Sequence, residues 1–133
     1  MLTFLEQETD FFDDINAALR NDVLKIRSRQ TDYLLSVLLN SIMTNYISTI
    51  SSIDDALEDL EEELLTITDE NDIGIQIQSL RRQYMLMKKS ILPLKEQYVK
   101  LLRAENLLIH KVNRAFFNDV NDHLQFVLSL IHI

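Results

Sequence analysis

Hydrophobic residues recur along most of this chain at alternating steps of three and four positions, the spacing that places them on one helix face. After the helix-start residues Thr31 and Asp32, this spacing predicts a long helix over about residues 32–66. It resumes after a polar interruption at 68–74 and predicts a second helix over about 75–108. We therefore expect two long helices joined by a short turn.

The two predicted helices carry apolar seams that should face each other in an antiparallel hairpin with coiled-coil-like packing. The expected partners are Ile53, Leu57, Leu60 and Leu64 on the first helix and Ile77, Leu80, Tyr84 and Met87 on the second. Pro93 interrupts the second pattern, but Ile91 and Leu94 stay in phase on either side of it. A kink within one helix is therefore expected there.

Shorter patterns flank the hairpin. Residues 1–30 form a lead-in with one short helix, which starts after Asp10 and extends to about Asn21. Residues 113–133 carry a further apolar face, which indicates either a third long helix or the second one continued past a bend. This last pattern reaches the final residues without a helix-ending Gly, Asn or Pro, so we expect the helix to continue beyond them. The predicted fold class is all-α.

Composition narrows the chemistry that such a chain can perform. It has one Gly, one Pro and no Cys, which favours long helices and excludes thiol catalysis and thiolate metal sites. A single Gly also excludes glycine-rich phosphate-binding loops. No Ser, His and Asp set is spaced as in a hydrolase. We therefore predict that the chain is not an enzyme.

The charge distribution points to cations as partners. A formal net charge of −8 and a pI near 4.7 argue against nucleic acid, which is bound through basic groups. Acidic residues crowd the end of the first helix over 54–63, whereas the second helix is mainly basic. Folding the hairpin should bring Arg81 and Arg82 close to this acidic segment. No uninterrupted apolar run approaches the ~20 residues of a membrane-spanning helix.

Asp119 and His123 form the candidate metal site. They are four positions apart and thus project from the same helix face. Asp122 lies beside them, and Asn118 and Asn121 add amide oxygens of the kind that Mg²⁺ accepts. From spacing alone, an Asp and a His that form an ordinary pair on the helix surface are the more common interpretation.

His110 and His132 have no acidic residue four positions away, and we interpret them as ordinary surface or core histidines.

Three segments, in order, resemble the CorA-type magnesium transporters. They are the acidic helix Asp32 to Leu65, the stretch from Leu80, Arg81 and Arg82 to Pro93, Leu94, Lys95 and Glu96, and the run Phe116, Phe117, Asn118, Asp119, Val120, Asn121, Asp122, His123 and Leu124. The last of these matches the aromatic-x-x-Asp-Val-x-Asp-His stretch that opens the long stalk helix of the family. The resemblance covers about residues 31–133.

The resemblance implies a role in divalent-cation transport. Family members are homopentamers in which cytoplasmic divalent ions, bound between subunits, hold the channel closed. Transferred to this chain, Asp119 and His123 are regulatory ligands for Mg²⁺, while Co²⁺, Ni²⁺ and Zn²⁺ remain alternatives as transported ions. The intact protein is expected in the plasma (inner) membrane, with this part on the cytoplasmic side and the Gly-Met-Asn pore signature beyond it.

The same resemblance divides the chain into three parts. Residues 1–30 are a remnant of the N-terminal cytoplasmic domain, 31–112 are the long hairpin, and 113–133 begin the stalk helix before the membrane. Because the seams exceed what a thin hairpin covers, we expect homo-oligomers. The expected contact surface comprises Phe116, Val120, Val127 and Ile131.

Two other functions fit the same patterns. A soluble coiled-coil adaptor would use the heptads to bind a partner helix without metal. A helical-bundle carboxylate metalloenzyme is disfavoured because the chain contains no Glu-x-x-His pair.

Overall fold

The computed structural model describes residues 1–66, 70–104 and 108–131, with the side chains of 70 and 71 excepted. The helices are α1 (Asp13–Arg20), α2 (Thr31–Leu64), α3 (Glu70–Arg103) and α4 (Arg114–Ile131). Two short 3-10 segments, Val23–Ser28 and Lys111–Asn113, precede α2 and α4. No strand occurs in these described ranges, and the predicted all-α class is confirmed.

The boundaries of the two long helices test the sequence pattern most closely. α2 lies within two residues of its predicted ends, and α3 runs through Pro93 as one helix. However, α3 already begins at Glu70, so the turn predicted for 68–74 was wrong over 70–74, while 68 and 69 lie outside the described residues. Helix formation there buries Ile73 to 3% exposure, which outweighs the ~1 kcal/mol helix cost of Gly74.

Gly74 provides a direct test of this early helix start. A Cβ atom added at this position would meet no atom within 4 Å, and the backbone φ is not positive. We therefore predict that Gly74→Ala stabilises the protein by about 0.5–1 kcal/mol, because alanine loses less backbone entropy in a helix. Urea unfolding measures this change. A destabilised variant would indicate that residue 74 lies in a turn, as the sequence pattern suggested.

The helix α4 packs against both α2 and α3. The hydroxyl of Tyr98 donates to the carbonyl of Phe117 at 2.8 Å, and that of Tyr84 donates to the carbonyl of Leu130 at 2.9 Å. These two bonds make α4 antiparallel to α3 and therefore parallel to α2. The central core lies where the three helices meet and comprises Met43, Ile50, Ile91, Tyr98, Phe117, Val120, Leu124, Val127, Leu128 and Ile131.

This packing settles two expectations about the last segment. It is a separate third helix and not a continuation of α3, since α3 ends at Arg103. The surface proposed for self-association was wrong, because Val120, Val127 and Ile131 are at most 3% exposed and are covered by the chain's own helices. Phe116, the fourth member, packs edge-on against the ring of Tyr33 at 4.8 Å. A third helix buries the seams that a two-helix hairpin leaves open.

The outer half of the hairpin is covered by two helices only. At 1.5 Å per residue, α4 spans roughly 27 Å and α2 roughly 51 Å, so α4 cannot reach the turn. Ile53 and Leu60 are buried there as predicted, whereas Leu64 is 37% exposed. A groove of about 380 Å³, open to solvent, runs between the two helices and is lined by Ala56, Asp59, Leu60, Gln76, Ser79 and Leu80.

These two regions should respond differently to the same substitution. Leu124 is 1% exposed inside the three-helix core, and Leu60 is 7% exposed beside the open groove. We predict that Leu124→Ala costs about 3–5 kcal/mol of unfolding free energy and Leu60→Ala about 2 kcal/mol. Chemical unfolding of both variants, with the exposed Glu62→Ala as control, measures the difference. An equal loss for Leu124→Ala and Glu62→Ala would contradict the described core.

Among the described residues, α2 is the one helix long and apolar enough to cross a membrane by length and composition. Core helices pass the same test. In this structure α2 contributes Met43 and Ile50, both at most 1% exposed, to the core shared with α3 and α4.

Candidate metal site

The predicted ligands Asp119 and His123 lie on the outward face of α4. Both are exposed, whereas Val120 and Leu124, each one position further along, are buried at 2% and 1% exposure. The helical period explains this arrangement, since residues four apart share a face and their neighbours turn toward the core. The carboxylate of Asp119 makes no hydrogen bond or ion pair with the described residues. It is thus available to a cation.

The structure places an unpredicted residue beside His123. The ring Nδ1 of His123 contacts the side-chain oxygen of Asn40, which lies 83 positions earlier on α2. An N–H at Nδ1 donating to this oxygen leaves Nε2 as the ring nitrogen with a free lone pair. No signal in the local sequence identifies Asn40, because a helical period reports which face a residue occupies and not which helix it meets.

The donors match a hard divalent cation in part. Asp119 offers carboxylate oxygens, the atoms that Mg²⁺ prefers, and His123 offers the Nε2 nitrogen of its ring, which Asn40 orients from the other side. Within the described residues, no three His, Cys, Asp or Glu side chains cluster closely enough to hold a metal ion. An octahedral shell would therefore draw further ligands from water or from another chain. Asp122 and Asn118 are exposed nearby.

A second polar cluster, missed by the sequence analysis, lies at the start of α2. The carboxylate of Asp32, whose side chain is 3% exposed, accepts four hydrogen bonds. Its Oδ2 accepts from the backbone N–H of His110 at 2.8 Å and from the ring Nδ1 at 3.0 Å. Its Oδ1 accepts from the Asn113 amide at 2.9 Å and from the Tyr33 N–H at 3.0 Å. We call these four residues the Asp32 cluster.

The cluster corrects the interpretation of two residues. His110 does not lie on a helix but in the segment before α4, where its half-exposed ring binds Asp32. Asp32 is more than a helix-start residue, because it connects α2 to a segment 78 positions later.

Burial raises the pKa of Asp32, but the hydrogen bonds from His110, Asn113 and Tyr33 outweigh burial and lower the pKa from 3.8 to about 2.

This lowered pKa predicts how stability depends on pH. The folded state binds the Asp32 proton less tightly than the unfolded chain does, so the stabilisation is present above pH 4 and is lost between about pH 4 and 2. It should amount to about 2 kcal/mol. We expect Asp32→Asn to be destabilised at pH 7 and to lose less stability than wild type on acidification to pH 2.

Urea unfolding of both proteins from pH 7 to 2 measures this difference, with the exposed Asp122→Asn as control. Parallel pH curves for wild type and Asp32→Asn would show that the Asp32 carboxylate has an ordinary pKa.

Comparison with known proteins assigns the class. Residues 1–133 match the family described as CorA-like Mg²⁺ transporter protein. The chain belongs to this family. It is also 32% identical over 123 residues to the cobalt/magnesium transport protein CorA of Thermotoga maritima. That alignment covers 92% of this chain and 35% of the relative, so the chain spans about a third of the length of the relative it matches.

Proposed function

We propose that this chain is the helical cytoplasmic part of a transporter for divalent cations, with Mg²⁺ as a transported and regulatory ion. Family membership supports this function over the soluble adaptor. The proposed assembly is a homopentamer in the plasma membrane, in which α4 begins the stalk helix. No covalent chemistry is part of the proposal.

The observation that carries a sensing role is the exposed face of α4. Asp119 presents a carboxylate without a partner among the described residues, one helical turn from His123 and its contact with Asn40. An exposed carboxylate can be shared, through a cation, with a neighbouring subunit, which would supply the ligands that this chain lacks.

The Asp119 carboxylates would then act as the switch. Without bound cations, the Asp119 side chains around the symmetry axis repel one another and favour a looser arrangement of subunits. A divalent cation bound at the subunit contacts would neutralise this charge. It would favour the closed arrangement of subunits, because a ligand shifts an equilibrium toward the state that it binds more tightly. His123 would contribute less, since Mg²⁺ prefers oxygen to nitrogen ligands.

Ion flux in vesicles tests this proposal. We expect Asp119→Ala in the intact transporter to shift closure to higher internal Mg²⁺ while the subunit stays folded, because one exposed carboxylate contributes little to stability. His123→Ala should shift closure in the same direction but less. Asp122→Ala is the matched control, since it removes another exposed acid three positions away on the same helix.

The contrast between the two aspartates decides the assignment. Equal inhibition curves for Asp119→Ala and wild type, or equal shifts for Asp119→Ala and Asp122→Ala, would contradict a specific sensor at Asp119.

A further inference from the structure

The Asp32 cluster holds the start of α4 against the start of α2. Asn113, which is 4% exposed, immediately precedes α4, and its amide donates to Asp32 in the first turn of α2. His110, three positions earlier, adds a backbone and a ring donor to the same carboxylate. Since a carboxylate accepts about four hydrogen bonds, Asp32 has no capacity left for a cation.

Neighbouring contacts at this end of the bundle are of a different kind. The rings of Tyr33 and Phe116 meet edge to face at 4.8 Å, and the guanidinium of Arg29 lies 4.4 Å from the Tyr33 ring centre. Arg114 donates to the carbonyl of Leu102 from an exposed position. Ring packing tolerates small displacements along the helix axis, whereas hydrogen bonds lose strength steeply when their geometry changes. The Asp32 cluster is therefore the contact best suited to fix the register of α4 on α2.

That register determines which residues meet further along the two parallel helices. Asn40 lies eight residues after Asp32, a rise of about 12 Å, and His123 lies ten residues after Asn113, a rise of about 15 Å. The two rises are similar, so Asn40 and His123 lie at about the same distance along the helix axis from the Asp32 cluster, and they contact each other there. A displacement at the cluster would be transmitted along the rigid helices to this contact.

We propose that Asp32 is a positioning residue that sets the register of α4 on α2 and thereby holds His123 beside Asn40. This inference rests on the proposed cation site at Asp119 and His123. Asp32 binds no cation itself. Its effect on the site passes through His110 and Asn113, which both bind Asp32 in the segment before α4, and then through the rigid body of α4. Residues behind a metal ligand orient that ligand in the same way.

The substitution Asp32→Asn tests this role with little change of volume. An asparagine keeps one carbonyl oxygen that can still accept from Tyr33 and Asn113, but its NH₂ group faces the two donors of His110, so both bonds to His110 are lost. Leu60→Ala is the matched control, because it destabilises the hairpin far from the cluster. Both variants are compared under conditions in which circular dichroism shows them fully folded.

The first measurement is a distance that does not depend on metal. Since the chain has no cysteine, Ser52→Cys on α2 and Ala115→Cys on α4, both at exposed positions, allow specific attachment of two nitroxide labels. These positions are well offset along the axis of the two parallel helices, so that a slip of one helix on the other changes their separation directly. Pulsed electron paramagnetic resonance then reports the separation of the helices. We expect Asp32→Asn to broaden or displace the distance distribution, by about 1.5 Å per residue of slippage, and Leu60→Ala to leave it unchanged.

The second measurement is made on the intact transporter, because neighbouring subunits are proposed to supply the ligands that this chain lacks. It is the affinity for Mn²⁺, used as a paramagnetic substitute for Mg²⁺ and followed by the broadening of the Asp119 and Asn40 amide signals in NMR spectra. We expect about tenfold weaker binding in Asp32→Asn, the lower end of the effect typical of residues that orient metal ligands. Leu60→Ala should bind Mn²⁺ as wild type does.

The outcomes separate this inference from the proposed function. An unchanged distance distribution in Asp32→Asn would overturn the positioning role, and so would a changed distribution with unaltered Mn²⁺ affinity. An intact wild-type transporter that shows no Mn²⁺ broadening at Asp119 would contradict the proposed cation site, while the distance measurement would still decide whether Asp32 sets the register.

Discussion

Burial of the apolar face of α4 between α2 and α3 is the interaction on which the rest of the structure depends. Phe117 and Val127 are fully buried on this face, and without it the inner halves of α2 and α3 would expose Met43, Ile50 and Ile91. The hydrophobic driving force is non-directional, however, and permits several registers of similar burial. The buried hydrogen bonds of Tyr98 and of Asp32 select one of them.

The same packing determines which part of the hairpin leaves its acidic residues exposed to solvent. Because α4 ends well short of the turn, the acidic residues over 54–63 lie on a two-helix segment with ample access to solvent. No ion pair joins them to Arg81 or Arg82 in the described part of the chain. Exposed pairs of this kind contribute ~0–1 kcal/mol and impose little on the fold.

Periodicity predicted the helices because it reflects which residues are buried, and α2 agrees within two residues. It could not predict that α4 folds between the other two, because Val120 and Val127 would be equally apolar against another copy. The contacts of Asp32 with His110 and of His123 with Asn40 join residues 78 and 83 positions apart, beyond any local pattern. The prediction of Asp119 and His123 as ligands came from their four-residue spacing and from the family resemblance, and it stays a prediction.

The most direct test of this account is whether α4 packs within its own chain. An isotope-filtered NOESY experiment on mixed labelled and unlabelled protein separates contacts within a chain from contacts between copies. We predict intrachain cross-peaks between the rings of Tyr33 and Phe116, whose centres lie 4.8 Å apart, and between the Tyr84 ring and Leu130. Cross-peaks for these pairs only between different copies would contradict this packing.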